Sequence, residues 1–357
     1  MKKLKGMSSA TRTNFLTYLG VIVAFVVLQV LSSQGALSNA LKGQLVPVCA
    51  YVVMALSLNL TVGVMGELSL GHAGFMSVGA FSGAVAASAL RDAVSSDLLR
   101  LVIALIIGAV LAGVVGLLIS VPVLRLNGDY LAIVTQACGQ IIKTLVGNLY
   151  VGMDAKGLHF RFLDPIENLE QGGRMILNGS KGITVTKIST FAVGFVLIMI
   201  TLAVIFNLVN SRAGRAIMAI RDNRIAAESV GLNVTKYKMM AFVTSAALAG
   251  AAGALFALGQ NTVVANKFDF NTSILILVYV VLGGLGNMWG SIIAAAFLTV
   301  LPETAAMRDL RDYRMLIYAI ILIVVMIATN NPLLNRFFSS VKEKLKGKGK
   351  EKGGVQQ

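Results

Sequence analysis

The 357-residue sequence offers little with which to do covalent chemistry. Its histidines are His72, in a glycine-rich stretch between two apolar runs, and His159, in a polar segment; its cysteines, Cys49 and Cys138, both fall inside apolar runs. No HExxH or CxxC pair supplies metal-ligand spacing, no GxxxxGK[ST] loop could cradle a nucleotide phosphate, and no GxSxG turn could present a nucleophilic serine. Cys49 and Cys138 suit packing as small hydrophobes, and they imply no disulfide framework. No catalytic residue and no metal ligand is assigned. What remains is charge in apolar surroundings. Glu67, Asp129, Lys143 and Glu303 lie within or at the ends of apolar runs, where an ionised group is costly and is tolerated for function. Glu67 and Asp129 suit helix N-termini, where a carboxylate meets the positive end of the dipole. With Ser69, His72, Gly283, Gly284 and Gly286 they also form the candidate lining of a solute path.

The elements around these residues belong in a bilayer. The chain is 56% hydrophobic and 13% charged, with a mean hydropathy of +0.80, whereas a soluble domain carries about a quarter charged residues. Apolar segments run at 15–33, 45–63, 72–90, 101–124, 129–148, 189–209, 239–259, 272–303 and 314–330. Most approach or exceed the roughly 20 residues that a helix needs to cross a hydrocarbon core. The alternating strands of a membrane barrel are absent, so the expected fold is all-α, a polytopic transmembrane helix bundle. The first segment is longer than the roughly 7–15 apolar residues of a cleaved signal, and it reads as a retained span. Segment 272–303 is too long for one helix, and GGLGNMWG at its centre can break it.

Charge orients the chain. Residues 2–12 hold Lys2, Lys3, Lys5 and Arg12 without an acid. Residues 211–238 hold Arg212, Arg215, Arg221, Arg224, Lys236 and Lys238 against Asp222 and Glu228. From Arg336 to Lys352 seven basic residues face two acids. These clusters carry most of the formal charge of +15, so the excess marks cytoplasmic segments and not nucleic-acid binding. Two basic termini on one side require an even number of spans, about ten once 272–303 is split. The organisation expected is a cytoplasmic N-terminus over 1–14, a membrane domain over 15–330 and a basic cytoplasmic tail over 331–357. Residues 211–238 then lie inside the cell and 149–188 outside. The latter is nearly balanced in charge, and reads as a solvated connector or as an external docking face. Glycines cluster at 63–79 and 283–290, in similar places in the two halves, as in transporters built from internal repeats with interrupted helices; ordinary small-residue packing is the alternative.

The segment SRAGRAIMAIRDNRIAAESVGLNVTKYK (211–238) stands out. Good helix formers from Ala216 to Val230, followed by Gly231, predict one amphipathic helix with a glycine stop. Ile217, Ile220, Ala227 and Val230 can share a stripe. Such a helix either lies in the headgroups or fills a groove on a cytoplasmic partner.

The run Ala226-Ala227-x-x-x-Gly231 resembles the EAA loop of ABC importer permeases. Four longer stretches, ALSLNLTVGVMGELSLGHAGFMSVGAF (55–81), LRLNGDYLAIVTQACGQIIK (124–143), AGRAIMAIRDNRIAAESVGLNVTKYKMMAFVTSAALAGAAGAL (213–255) and VVLGGLGNMWGSIIAAAFLTVLPE (280–303), are similar to LivM-like permeases of branched-chain amino acid ABC importers. The chain departs from that pattern where Arg224 and Ile225 replace the usual acid of the loop, at Gln140, and in VGMDAKGLHF, which lacks an NGPDG-like turn. The resemblance implies the type II ABC importer permease fold in the bacterial cytoplasmic membrane, and a transporter subunit rather than an enzyme. It also implies a second homologous permease, two cytoplasmic ATPases that carry ATP and Mg while this chain binds no cofactor, and an external binding protein delivering Leu, Ile or Val. By the same resemblance, Arg221, Asp222, Asn223, Arg224, Ala226, Ala227, Glu228 and Gly231 would contact the ATPase. Urea, a short amide or a nucleoside are alternative substrates within the family; a stand-alone ion-coupled carrier is the alternative outside it.

Overall fold

The computed structural model describes residues 9–34, 38–91, 93–126, 128–154, 157–164, 166, 173–303, 316–320 and 322–324. The chain divides into two units, 1–304 and 305–357. In the second, 316–320 and 322–324 are helical; the rest of segment 314–330 and the basic tail 331–357 lie outside the described residues, as do residues 1–8 of the N-terminal segment.

The first unit is built on helices α1 (Ser9–Ser33), α2 (Asn39–Asn59), α3 (His72–Ala89), α4 (Asp97–Val123), α5 (Asp129–Gly147), α6 (Phe191–Asn210), α7 (Arg212–Asp222), α8 (Arg224–Ser229), α9 (Val234–Leu258), α10 (Phe270–Gly283) and α11 (Met288–Val300). Among the described residues six stretches are long and apolar enough to cross a membrane: Phe15–Ser33, Leu41–Met65, Asp97–Val123, Phe191–Asn210, Val234–Leu258 and Ala265–Gly283. The chain is thus a multi-pass helical membrane protein. Helix α3, rich in Gly, Ala and Ser, and α5, which carries Gln136 and Gln140 as well as Asp129 and Lys143, are less apolar and fall outside this set. Segment 272–303 is divided as GGLGNMWG suggests. Helix α10 ends at Gly283, and Asn287 caps α11 by accepting the Gly290 N–H at 3.3 Å.

Helices α3, α4 and α9 pack on one another, and α9 packs also on α2. Lipid provides no hydrophobic drive between helices, so close backbone approach must supply the contact. A side chain on Gly79 would overlap the backbone of Gly250, and one on Gly253 would overlap Met76 O.

Residues 149–188 correct the all-helical expectation. Strands β1 (Leu149–Asp154), β2 (Gly157–Phe162), β3 (Arg174–Asn178), β4 (Ile183–Thr184) and β5 (Thr262–Val263) form an antiparallel sheet in the order β2-β1-β3-β4-β5. The expectation of a solvated connector misses it because β4 and β5 are two residues each and β5 arrives from the distant α9–α10 connection. Only pairing in space, Ile183 with Val263, makes them strands. Ile188 N–H donates to Leu258 O at 3.1 Å, joining the start of α6 to the end of α9 beside this sheet. Both helices run from there to α7 and α8, which therefore lie at the opposite end of the bundle.

Candidate functional site

Residues 211–231 hold two helices and not the single one expected from Ala216 to Val230, and 234–238 already belong to α9. Asn223 leaves the helical region at φ −154° and ψ 104°, and its side-chain Oδ1 accepts the Ala226 N–H at 3.0 Å, capping α8. Asn competes with the backbone ladder in this way, and so prefers caps to helix interiors. Helix α8 ends before Gly231, whose φ of +84° suits glycine. There the Gly231 N–H donates to Glu228 O at 3.0 Å and the Leu232 N–H to Ala227 O at 3.1 Å.

The elbow between α7 and α8 is anchored from inside. Ile220, Ala227 and Val234 form a small buried cluster with Leu232 and Tyr237 packed against it. The Asn223 break also re-aims the apolar stripe. Ile217, Ile220 and Ala227 are buried, whereas Val230, expected among them, is 75% exposed, Ile225 is 80% exposed, and Ala226 is exposed beside them. Arg224 Nε donates to Glu228 Oε1 at 3.0 Å along the same outer side.

Arg221 turns the other way. Its Nε and Nη2 donate to Asp222 Oδ1 at 3.1 and 2.9 Å, while Nη1 donates to the carbonyl of Gly63 at 3.0 Å. Gly63 lies in Leu60–Met65, the π-helical turn that prolongs α2 and ends at Gly66. The last carbonyls of a helix have no partner within it and carry the negative end of its dipole, so a guanidinium is well suited there. Gly66 has φ +80°, and a side chain on it would overlap Arg221 Cγ.

Three further contacts gather at this broken end of α2. Glu67 pairs with Lys238 of α9, the side chains being only 13% and 7% exposed. Fully buried Asn59 accepts the Gly286 N–H at 2.8 Å and donates to Ser291 Oγ at 2.9 Å, tying α2 to the α10–α11 turn. Gly63 fits only because it has no side chain, since a Cβ would overlap both Asn59 Oδ1 and Gly286 N. The two glycine clusters, 63–79 and 283–290, therefore meet in space.

The junction brings together Glu67, Gly286, Arg221 and Asp222. Gly283 and Gly284 close the turn beside it; a side chain on Gly283 would overlap the backbone of Gly290, and the Gly284 N–H donates to Val281 O at 3.1 Å. Buried His72 lies at the start of α3 with Nε2 at 2.8 Å from Ser57 Oγ, while its Nδ1 and the buried Ser69 hydroxyl have no partner among the described residues. The Ala73 N–H donates to Ser273 Oγ at 3.2 Å, fixing the start of α3 to α10. Asp129 stands exposed in the first turn of α5, where its charge suits the dipole, and no hydrogen bond or ion pair joins it to the junction among the described residues. Glu67 is held by Lys238 rather than by a helix N-terminus. Among the described residues no group of three His, Cys, Asp or Glu is placed to hold a metal ion. Sequence reasoning missed Asn59 and the role of Lys238. An amide between Leu58 and Leu60 in an apolar run was the available signal for the first; Lys238 was indistinguishable from its basic neighbours.

Apolar helices of spanning length, with a charged elbow held at the interrupted end of one of them, define a polytopic helical membrane protein. The chain belongs to the family described as the branched-chain amino acid transport system permease component, which matches residues 40–326. It is 35% identical over 288 residues to the high-affinity branched-chain amino acid transport system permease protein LivM of Salmonella typhimurium, and equally to that of Escherichia coli; each match covers 78% of this chain and 66% of the relative. It is 25% identical over 304 residues to the probable branched-chain amino acid transport permease protein LivH of Methanocaldococcus jannaschii, covering 81% and 88%. No solved structure matches the chain.

Proposed function

We propose that the chain is a membrane-spanning subunit of an ATP-driven importer that moves branched-chain amino acids across the bacterial cytoplasmic membrane. The observation that carries this reading is the α7–α8 elbow, which offers exposed Ile225, Ala226 and Val230 outward while Arg221 reaches the broken end of α2, within a family of transport permeases. In this reading a cytoplasmic ATPase seats on α8, with Arg224, Glu228 and Asp222 orienting it and Asn223, Ala227 and Gly231 holding the fold of the elbow. ATP and Mg act on the two ATPases, and no cofactor is bound by this chain. A second homologous permease completes the pathway, and an external binding protein docks on the end that carries the sheet. Ten passes with both termini cytoplasmic follow if α3, α5 and α11 cross with the six long spans and 314–330 supplies the last. Transport is then alternating access, a bistable rearrangement with no covalent step. Glu67, Ser69, His72, Asp129, Gly283, Gly284 and Gly286 are the proposed residues along or beside the path; Glu67 and Gly286 act there as packing and pairing groups.

Reconstitution tests this. The chain is co-expressed with the second permease, ATPases and binding protein proposed as its partners, inserted in liposomes, and assayed for uptake of labelled leucine, isoleucine and valine against urea, acetamide and adenosine. ATP-dependent uptake of the three amino acids is expected. Uptake driven by an ion gradient without ATP, and no ATPase in the purified complex, would instead identify a stand-alone carrier.

A further inference from the structure

The junction suggests how motion at the elbow reaches the membrane, a question that rests on the docking reading above. Helix α8 does not itself touch α2 through any described hydrogen bond. Arg221, one residue before the end of α7, does. Two of its donors are held by Asp222, which aims the third at Gly63 O. The stem of Arg221 also closes over Gly66, the left-handed residue that ends the π-helical turn. A guanidinium fixed as a fork transmits direction better than a flexible ammonium, because its planar donors are preorganised. On the far side of that turn, Gly63 bears on Gly286 and Asn59, which continue to α10 and α11. The turn is interrupted backbone at the end of a span, the kind of segment that can rearrange without breaking a regular helix.

We propose that Arg221 is a positioning residue for transport: it hands displacement of the α7–α8 elbow to the π-helical end of α2, and its removal uncouples ATP hydrolysis from solute movement. Asp222 serves by fixing the guanidinium, and Gly66 by leaving room for it. The Lys238–Glu67 pair holds the end of α2 to α9 beside this contact, so that α2 moves with its neighbours.

The test uses the complete transporter in liposomes with its binding protein and leucine, recording uptake, ATP hydrolysis and retention of the ATPases on the same preparations. For Arg221→Ala the ATPases stay bound and hydrolysis continues, while leucine moved per ATP falls roughly tenfold, within the range of a typical allosteric coupling factor. Arg221→Lys, which can still present a cation to Gly63 O, recovers part of the ratio. Gly66→Ala, which changes no residue of the elbow but crowds Arg221 from the other side, lowers the same ratio. A proportional fall of uptake and hydrolysis in Arg221→Ala, or a wild-type ratio in both Arg221→Ala and Gly66→Ala, overturns the proposal while leaving the docking reading intact. A wild-type complex without ATPases overturns both.

Discussion

Replacing Lys238 by Met removes the ammonium from the Glu67 pair and leaves a chain of similar volume. The partner carboxylate is then stranded at 13% side-chain exposure beside a lysine site that was 7% exposed. Breaking one side of a buried ion pair costs about 3–5 kcal/mol, because the remaining charge is desolvated without compensation. At about 2 °C per kcal/mol for a chain above 150 residues, the apparent Tm should fall by about 6–10 °C. The double variant Lys238→Met with Glu67→Gln removes both charges, and neutral replacements of similar size often cost little. It should recover much of the loss, giving a coupling energy of about 2–3 kcal/mol in the double-mutant cycle. Size-exclusion profiles after graded heating, in one detergent and at one protein concentration, read all four variants. A Lys238→Met protein that melts with the wild type, or a double variant no more stable than Lys238→Met, would show that the pair is not desolvated and would refute the reasoning.

Other consequences can be checked in the same preparations. Asn59→Leu leaves the Gly286 N–H without its acceptor and should cost about 1–3 kcal/mol, seen as a lower Tm. Gly250→Val forces a side chain into the α3–α4–α9 contact and should cost about 1–3 kcal/mol or more, with loss of monodisperse protein; Gly43→Ala, where a Cβ meets nothing within 4 Å, should behave as wild type. Ile225→Asp, at an 80% exposed position, should leave the Tm unchanged and reduce ATPase co-purification. Arg224→Ala breaks the exposed pair with Glu228 and should change stability by less than about 0.5 kcal/mol.

The break of segment 272–303 was legible in its glycines, and the stop at Gly231 was legible because a left-handed residue after a run of helix formers has a local cause. The elbow was not. Asn223 reads as one neutral residue in a helix-forming run until its side chain is seen closing on Ala226. Arg221 and Lys238 look alike in composition, as members of one basic cluster, yet one reaches Gly63 and the other Glu67. The sheet escaped for a related reason, since β5 lies about eighty residues from β4 and is defined by pairing alone.

The sequence by itself determined that this chain lives in a membrane, that it is built mainly of helices, and which family it resembles, because hydropathy, span length and motif order are properties of the chain read along its length. Only the tertiary structure decided that two glycine clusters some two hundred residues apart share one junction, and that Arg221 reaches the end of α2 while Ile225 and Val230 stand exposed. Those facts depend on which backbones approach closely enough to exclude a side chain, and on where a single Asn turns a helix. Neither is a local property of the sequence.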